Sequence, residues 1–383
     1  DLGIIKVDLL GLGMMSALQD TIATLKTTGV EVDLAHLPPD DPKVYAMLQK
    51  ADTVGVFQVE SRAQMATLPR MKPERFYDLV VEVAIIRPGP IVGKMVHPYL
   101  RRRNGQEPVT YAHPLLEPIL KRTLGVPLFQ EQLLRMAMAV AGFTGGEAEE
   151  LRRAMGFKRS EQKMKPIEAR LRQGMKERGI TGKTASDVVR SIVSFALYGF
   201  PESHAASFAL IAYASAWLKT HHPAAFTCAL LNNQPMGFYH PSTLVKDAQR
   251  HGVHFRPVDV TVSAAACTLE EGEVRLGLGY VRGLRSEAAE RLVAERARAP
   301  YASLQDLVDR NELRRDALRR LAVVGALNAS GLPRRSALGL GVTAGRPRGP
   351  LFRESGPEAE RSPVPEMDLA ARLSSDLLGT GLT

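Results

Sequence analysis

Lys6 and Asp8 stand two residues apart in the otherwise apolar run from Ile4 to Leu10, a spacing at which a cation and a carboxylate can serve phosphoryl chemistry. Alternation along a strand places both side chains on one face. A carboxylate inside an apolar strand is costly unless it is paired or holds a metal. Asp8 therefore reads in two ways: as a metal ligand beside a triphosphate that Lys6 neutralises, or as half of a Lys6–Asp8 ion pair at a sheet edge. Two-metal phosphoryl transfer needs at least two neighbouring carboxylates, yet the chain contains no Asp-x-Asp, and Asp20, Asp33, Asp40 and Asp41 lack strand context. If Asp8 binds metal, its partner ligands are expected outside this sequence.

A second cluster runs from Leu151 to Arg159 and contains Arg152, Arg153 and Lys158. Near a glycine-terminated helix end these cations can converge on a multivalent anion, for which arginine offers bidentate contacts. Equally, they can be a solvated helix end whose charge complements the dipole. A third signal is the stretch from Tyr198 to Thr227. Gly199 and Pro201 break one helix, Ser203 is expected to cap the next, and His204 falls in its first turn, where unpaired amides attract a phosphate. The plain alternative is a helical turn with a surface histidine. Arg101, Arg102 and Arg103 form a basic run suited either to backbone phosphates or to a solubilising face. Last, two turns sit beside helices, Val281-Arg282-Gly283-Leu284 followed by Arg285, and Val323-Val324-Gly325-Ala326. They suit tandem helix-hairpin-helix units, or else two unrelated turns; no repeat of fixed period is evident.

The elements that must position these groups follow from length and texture. At 383 residues the chain is long enough for two or three domains. Its net charge of +9 favours a polyanionic partner. Cys228 and Cys267 have no paired spacing, so neither a disulfide framework nor a zinc site is expected. The apolar stretch from Ala205 to Leu218 is shorter than a membrane span of roughly 20 residues, and no leader is evident. A start at Asp1 and an abrupt end suggest a fragment. The fold class is mainly α, α+β overall. A strand and a helix from Met14 to Thr27 occupy 1–35. Helices punctuated by glycine and proline fill 36–235. Residues 236–340 read as a small mixed α/β domain, with strands at Thr261–Leu269 and Glu273–Leu278 joined at Glu270-Glu271-Gly272. The glycine- and proline-rich 341–383 reads as a flexible linker or truncated tail.

Taken together, these residues resemble the bacterial C-family DNA polymerases, the family of the polymerase III alpha subunit, and within it the error-prone branch. Lys6 to Leu12 looks like the last palm strand. Gly55 to Ser61 and Arg87-Pro88-Gly89-Pro90 resemble the opening of the fingers, and Phe129-Gln130-Glu131-Gln132 with Leu151 to Lys158 resemble later fingers motifs. Pro201 and Glu202 stand where replicative members usually carry Asn-Lys, which with Gln234 to Tyr239 is similar to the error-prone branch. The resemblance implies template-directed nucleotidyl transfer with two Mg²⁺ ions, dNTPs and primer–template DNA in a bacterial cytoplasm, near the nucleoid. It implies Asp8 as catalytic metal ligand, and Lys6, Arg152, Arg153, Lys158, Ser203 and His204 as nucleotide contacts. It implies Arg101, Arg102, Arg103, Arg282, Gly283, Arg285 and Gly325 as DNA contacts. Pro350-Leu351-Phe352 is at best a remnant of the family's clamp motif, so a sliding clamp is expected to be reached through an accessory mutagenesis protein. The family's front portion, with the paired aspartates, and its carboxyl-terminal oligonucleotide-binding domain are absent from the sequence. The competing expectation is a non-catalytic DNA-binding or scaffold protein that keeps the fold.

Overall fold

The computed structural model describes residues 11–86, 92–155, 160–196, 200–236, 239–331, 333–344 and 365–382. Lys6, Asp8, Lys158, the Arg87–Pro90 motif and the expected palm strand lie outside the described residues. Two compact units emerge, one formed by Asp1–Leu34 with His221–Thr383 and the other by Ala35–Thr220.

Helix α1 (Leu12–Thr27) opens the first unit and buries Met14, Ala17, Leu18, Thr21 and Leu25, one side of the helix. Helices joined by loops make up the second unit, with an isolated bridge between Phe129 and Phe200. Its first four helices are α2 (Pro42–Gln49), α3 (Arg62–Met71), α4 (Phe76–Ile85) and α5 (Val92–Arg103). Local chemistry fixes their starts. Asp41 accepts a hydrogen bond from Lys43 N at 2.8 Å ahead of Pro42, and Ser61 with Gln64 makes a reciprocal capping box at α3.

After a short helix α6 (Glu117–Leu120) comes a four-helix layer: α7 (Gln130–Ala141), α8 (Gly145–Met155), α9 (Ser160–Glu177) and α10 (Gly182–Ala196). Gly142, at φ 70°, ends α7 in the left-handed conformation that glycine adopts without strain. Leu133, Met136, Val140, Leu151, Leu171 and Ile192 meet in the layer's core. Helix α9 passes so close to α7 that a Cβ at Gly174 would lie 2.1 Å from the Ala141 carbonyl oxygen. Helix α11 (Glu202–His221) then runs 20 residues and buries Phe208, Ala212, Tyr213 and Leu218.

The first unit resumes with α12 (Pro223–Asn232), which packs on α1, and α13 (Pro241–Arg250). Helix α12 thus groups with the first unit, where sequence texture placed a break at 235. A small sheet follows, β1 (Phe255–Arg256), β2 (Thr268–Glu270) and β3 (Glu273–Arg275), in the order β1-β3-β2. The β2–β3 pair is antiparallel around Glu271 (φ 52°) and Gly272 (φ 84°), the left-handed pair a tight hairpin favours. The strand expected from Thr261 is confined to Thr268–Glu270. Asp259 accepts from both Thr261 N and Thr261 Oγ1, and this local turn draws the backbone out of a ladder.

Four more helices complete the unit: α14 (Ser286–Arg298), α15 (Leu304–Asn311), α16 (Arg315–Val323) and α17 (Arg334–Ala344), with a final α18 (Leu369–Thr380). Helix α18 falls in the stretch expected to be flexible. It packs on α16, its Asp376 accepts from Arg334 at 2.8 Å, and the Gly379 carbonyl accepts from Arg282 N at 2.7 Å. Leu369, Leu373, Leu377 and Leu378 stay exposed, so these polar and backbone bonds rather than a leucine face tie the helix down. Cys228 and Cys267 are free and buried, with thiols pushed up to about 12 and about 11 by burial, which leaves them unreactive. No described helix is long and apolar enough to cross a membrane.

Candidate functional site

Two clusters stand out in the Ala35–Thr220 unit. The first is the basic end of α8. Arg152 grips Glu149 with two bonds, of 2.8 and 2.7 Å, and Arg153 reaches the same carboxylate at 3.3 Å. The Arg152 bonds hold the Glu149 carboxyl down at about 2. One carboxylate thus orients two guanidinium groups and leaves a net positive charge. Both arginines remain exposed, at 51% and 74% of their side chains, so the end of α8 presents ordered donors to an anion.

The second cluster surrounds the start of α11. His204 is half-buried between two rings, 5.2 Å from Phe200 and 4.2 Å from Phe208. Phe208 in turn meets Phe57 edge-on at 5.3 Å. The imidazole is therefore positioned by packing. The backbone there is tied to the Phe129 loop, since Gln130 N donates to the Phe200 carbonyl at 3.0 Å. Gln132 folds back to accept from Leu128 N and Phe129 N, which fixes the turn into α7.

The helix start differs from its expected form. Helix α11 begins at Glu202, after Pro201, so Ser203 lies inside the first turn as an exposed residue and does not cap it. The Glu131 carboxylate plays that part and accepts from Glu202 N at 2.9 Å. An internal anion thus already satisfies the first amide of the expected phosphate seat. Glu202 accepts from the Tyr77 hydroxyl at 2.9 Å and lies 3.8 Å from Arg122, whose guanidinium sits 3.6 Å over the Tyr77 ring. Four elements are joined at this one helix start. Nothing in the spacing of Tyr77, Arg122, Glu131 and Glu202 announced the network, because its members are scattered along the chain.

The arginine run on α5 is largely spent internally. Arg103 clamps Asp78 with two 2.8 Å bonds and also donates to the Met71 and Lys72 carbonyls. Arg102 binds Glu107 and the Leu124 carbonyl. Arg101, 54% exposed and paired with Glu107 at 3.0 Å, is the member of the run most open to solvent.

In the other unit the Gly283 turn leads into α14. Gly283 has φ 75°, and Arg285 is the extended residue before the helix. Gly325 ends α16 at φ 76°, with Arg334 and Asn328 side chains filling the space beside it. The turn that matches Gly283 in geometry lies elsewhere, at Glu312-Leu313-Arg314 between α15 and α16. Glu312 has φ 49°, and Arg314 is extended before α16 as Arg285 is before α14. The sequence carries a faint trace of this pairing: Leu284-Arg285 recurs as Leu313-Arg314, and Arg291-Leu292 as Arg320-Leu321, both 29 residues on. The two turns line one cleft of about 720 Å³.

Comparison with known proteins accounts for both units. The profile of the bacterial DNA polymerase III alpha subunit finger domain matches residues 12–179. That of a helix-hairpin-helix motif matches residues 252–337. An error-prone DNA polymerase of Nocardia farcinica is 53% identical over 394 aligned residues, covering 100% of this chain and 34% of the relative. Its counterparts from Anaeromyxobacter dehalogenans and Mycobacterium bovis are each 51% identical, over 100% of this chain and 36% of the relative. The chain thus spans about a third of the length of the curated relatives it matches. With fingers motifs, hairpin turns and identity along the whole of this chain in agreement, the chain belongs to the bacterial DNA polymerase III alpha-subunit family, in its error-prone branch.

Proposed function

We propose that this chain is the nucleotide- and duplex-binding portion of a DNA-directed DNA polymerase that joins dNTPs to a primer end in error-prone, repair-linked synthesis. The observation that carries the reading is the end of α8, where Glu149 sets two exposed guanidinium groups side by side. Such a pair suits a triphosphate, which arginine meets through parallel N–H donors. Arg152 and Arg153 take the phosphates, with Lys6, Lys158, Ser203 and His204 completing the nucleotide site. Arg101, the partly spent Arg102 and Arg103, and Arg282, Gly283, Arg285 and Gly325 contact the duplex backbone. A protein of this chemistry works in the bacterial cytoplasm on nucleoid DNA, with a sliding clamp engaged through an accessory protein.

Asp8 supplies one carboxylate toward a two-metal Mg²⁺ site, and a single carboxylate fits one corner of such a site. Its other ligands come from outside this chain. Bound there, the ions would activate the primer hydroxyl and neutralise charge on the triphosphate. This chain's residues hold the nucleotide and exclude misaligned phosphates through paired donors; the primer terminus is held by backbone contacts on the duplex. The test is Asp8→Ala in the full-length protein. Primer extension should fall by a factor of about a thousand or more, as for loss of a metal-held electrostatic contact, with duplex affinity unchanged. Retained extension refutes the assignment and favours a scaffold that binds DNA without joining nucleotides.

A further inference from the structure

The paired turns at Gly283 and Glu312 are alike in backbone and differ in charge, because Glu312 adds a carboxylate to the second. Each is watched by an arginine from the other half of the pair. Arg320 of α16 donates to the Arg282 carbonyl at 2.9 Å, just before the first turn. Arg291 of α14 stands equivalently before the second, 3.5 Å from the Asn311 carbonyl. The correspondence stops there. Arg291 is taken by Glu312, whose carboxylate receives it at 2.8 Å. Arg320 makes no ion pair among the described residues, and the Arg282 guanidinium donates there to the Leu377 and Leu378 carbonyls and to no acid. Sterics favour the same asymmetry. A Cβ at Gly283 would meet the Arg320 guanidinium, so a side chain at the first turn would have to push that arginine aside. The second turn carries a side chain, an acid that is 76% exposed.

We propose that the two turns are unequal in use: the Gly283 turn holds a DNA backbone phosphate, while the Glu312 turn is filled by its own carboxylate and holds none. The inference rests on the DNA-binding reading above and refines it. A phosphate at the second turn would have to displace Glu312 from Arg291 and accept a like charge beside it, whereas at the first turn Arg282, Arg285 and Arg320 await an anion. The duplex is therefore anchored on one side of the pair, and Glu312 limits its affinity.

The experiment measures binding of the 383-residue chain to a short blunt DNA duplex by fluorescence anisotropy over a range of salt concentrations. Arg285→Ala should weaken binding about tenfold and lower the slope of log affinity against log salt by about one, the signature of one lost phosphate contact. Arg314→Ala should change affinity less than about twofold. Glu312→Gly, unstrained at a positive φ, should tighten binding about tenfold and steepen the slope by about one. In that background Arg314→Ala should become as costly as Arg285→Ala. Glu290→Gln, on the exposed face of α14, makes a similar charge change away from the turns and should shift affinity less than about twofold. If Glu312→Gly behaves like Glu290→Gln, or if Arg314→Ala costs as much as Arg285→Ala in the unaltered chain, the inequality is wrong while the DNA reading stands. A chain that binds no duplex overturns both.

Discussion

Replacing Glu82 by glutamine should make the helical unit more stable as the pH rises. Glu82 lies on α4, fully buried, and neither carboxylate oxygen has a hydrogen-bond partner among the described residues. Burial pushes its carboxyl from 4.5 up to about 8. Asp78, one turn earlier, is clamped by Arg103 instead. Folding therefore takes up a proton on Glu82 at any pH between those two values. Its stabilising protonated form is fully present below the unfolded value and is lost as pH rises through the folded one. The loss runs at about 1.4 kcal/mol per pH unit, or about 3 kcal/mol from about pH 5 to about pH 7. Glutamine has the same shape and does not titrate, so the stability gap between Glu82→Gln and the parent should widen in the variant's favour by that amount. Glu60, pushed up to about 7 by burial, adds its own pH dependence to both proteins and cancels in the difference. The assay is urea unfolding followed by Trp217, the one tryptophan of the sequence, which sits on α11 in the unit that carries Glu82. Parallel stability curves for the two proteins across this range would refute the reasoning.

Two further predictions concern the scaffold of the same unit, both read by Trp217 fluorescence. Gly174→Ala drives a methyl into the Ala141 carbonyl and should cost about 3 kcal/mol, because backbone on both sides resists the shift; an unchanged unfolding midpoint rules out the close α7–α9 approach. Arg103→Met strands the Asp78 carboxylate, 5% exposed, without its ion pair and should cost about 3 to 5 kcal/mol at neutral pH. If Arg103 were a DNA contact alone, that variant would unfold like the parent and lose only duplex affinity.

Much of the architecture was legible from local grammar. The break at Gly142 and the hairpin at Glu271-Gly272 each depend on a few adjacent residues, which is why spacing exposes them, whereas the equally local caps at Asp41 and Ser61 went unread. The end of α8 was legible for the same reason, since Arg152 and Arg153 are neighbours that share a carboxylate one turn back. What else escaped was long-range. Glu131 capping α11 in place of Ser203 joins residues far apart in sequence. The Glu312 turn hid because it places glutamate where a glycine announces the first, and an acid at φ 49° carries no turn signature. Arg103 read as a surface cation because its partner Asp78 lies on another helix.

The most direct test of the account is nucleotide dependence in the full-length protein carrying Arg153→Ala. Arg153 is the more exposed of the α8 pair and is held to Glu149 by the longer bond. Its loss should therefore remove a triphosphate contact without disturbing the helix. The account predicts an apparent KM for dNTP raised about tenfold or more, as for loss of one charge-assisted contact, with duplex affinity unchanged. An unaltered nucleotide dependence contradicts the assignment of the α8 arginines to the nucleotide.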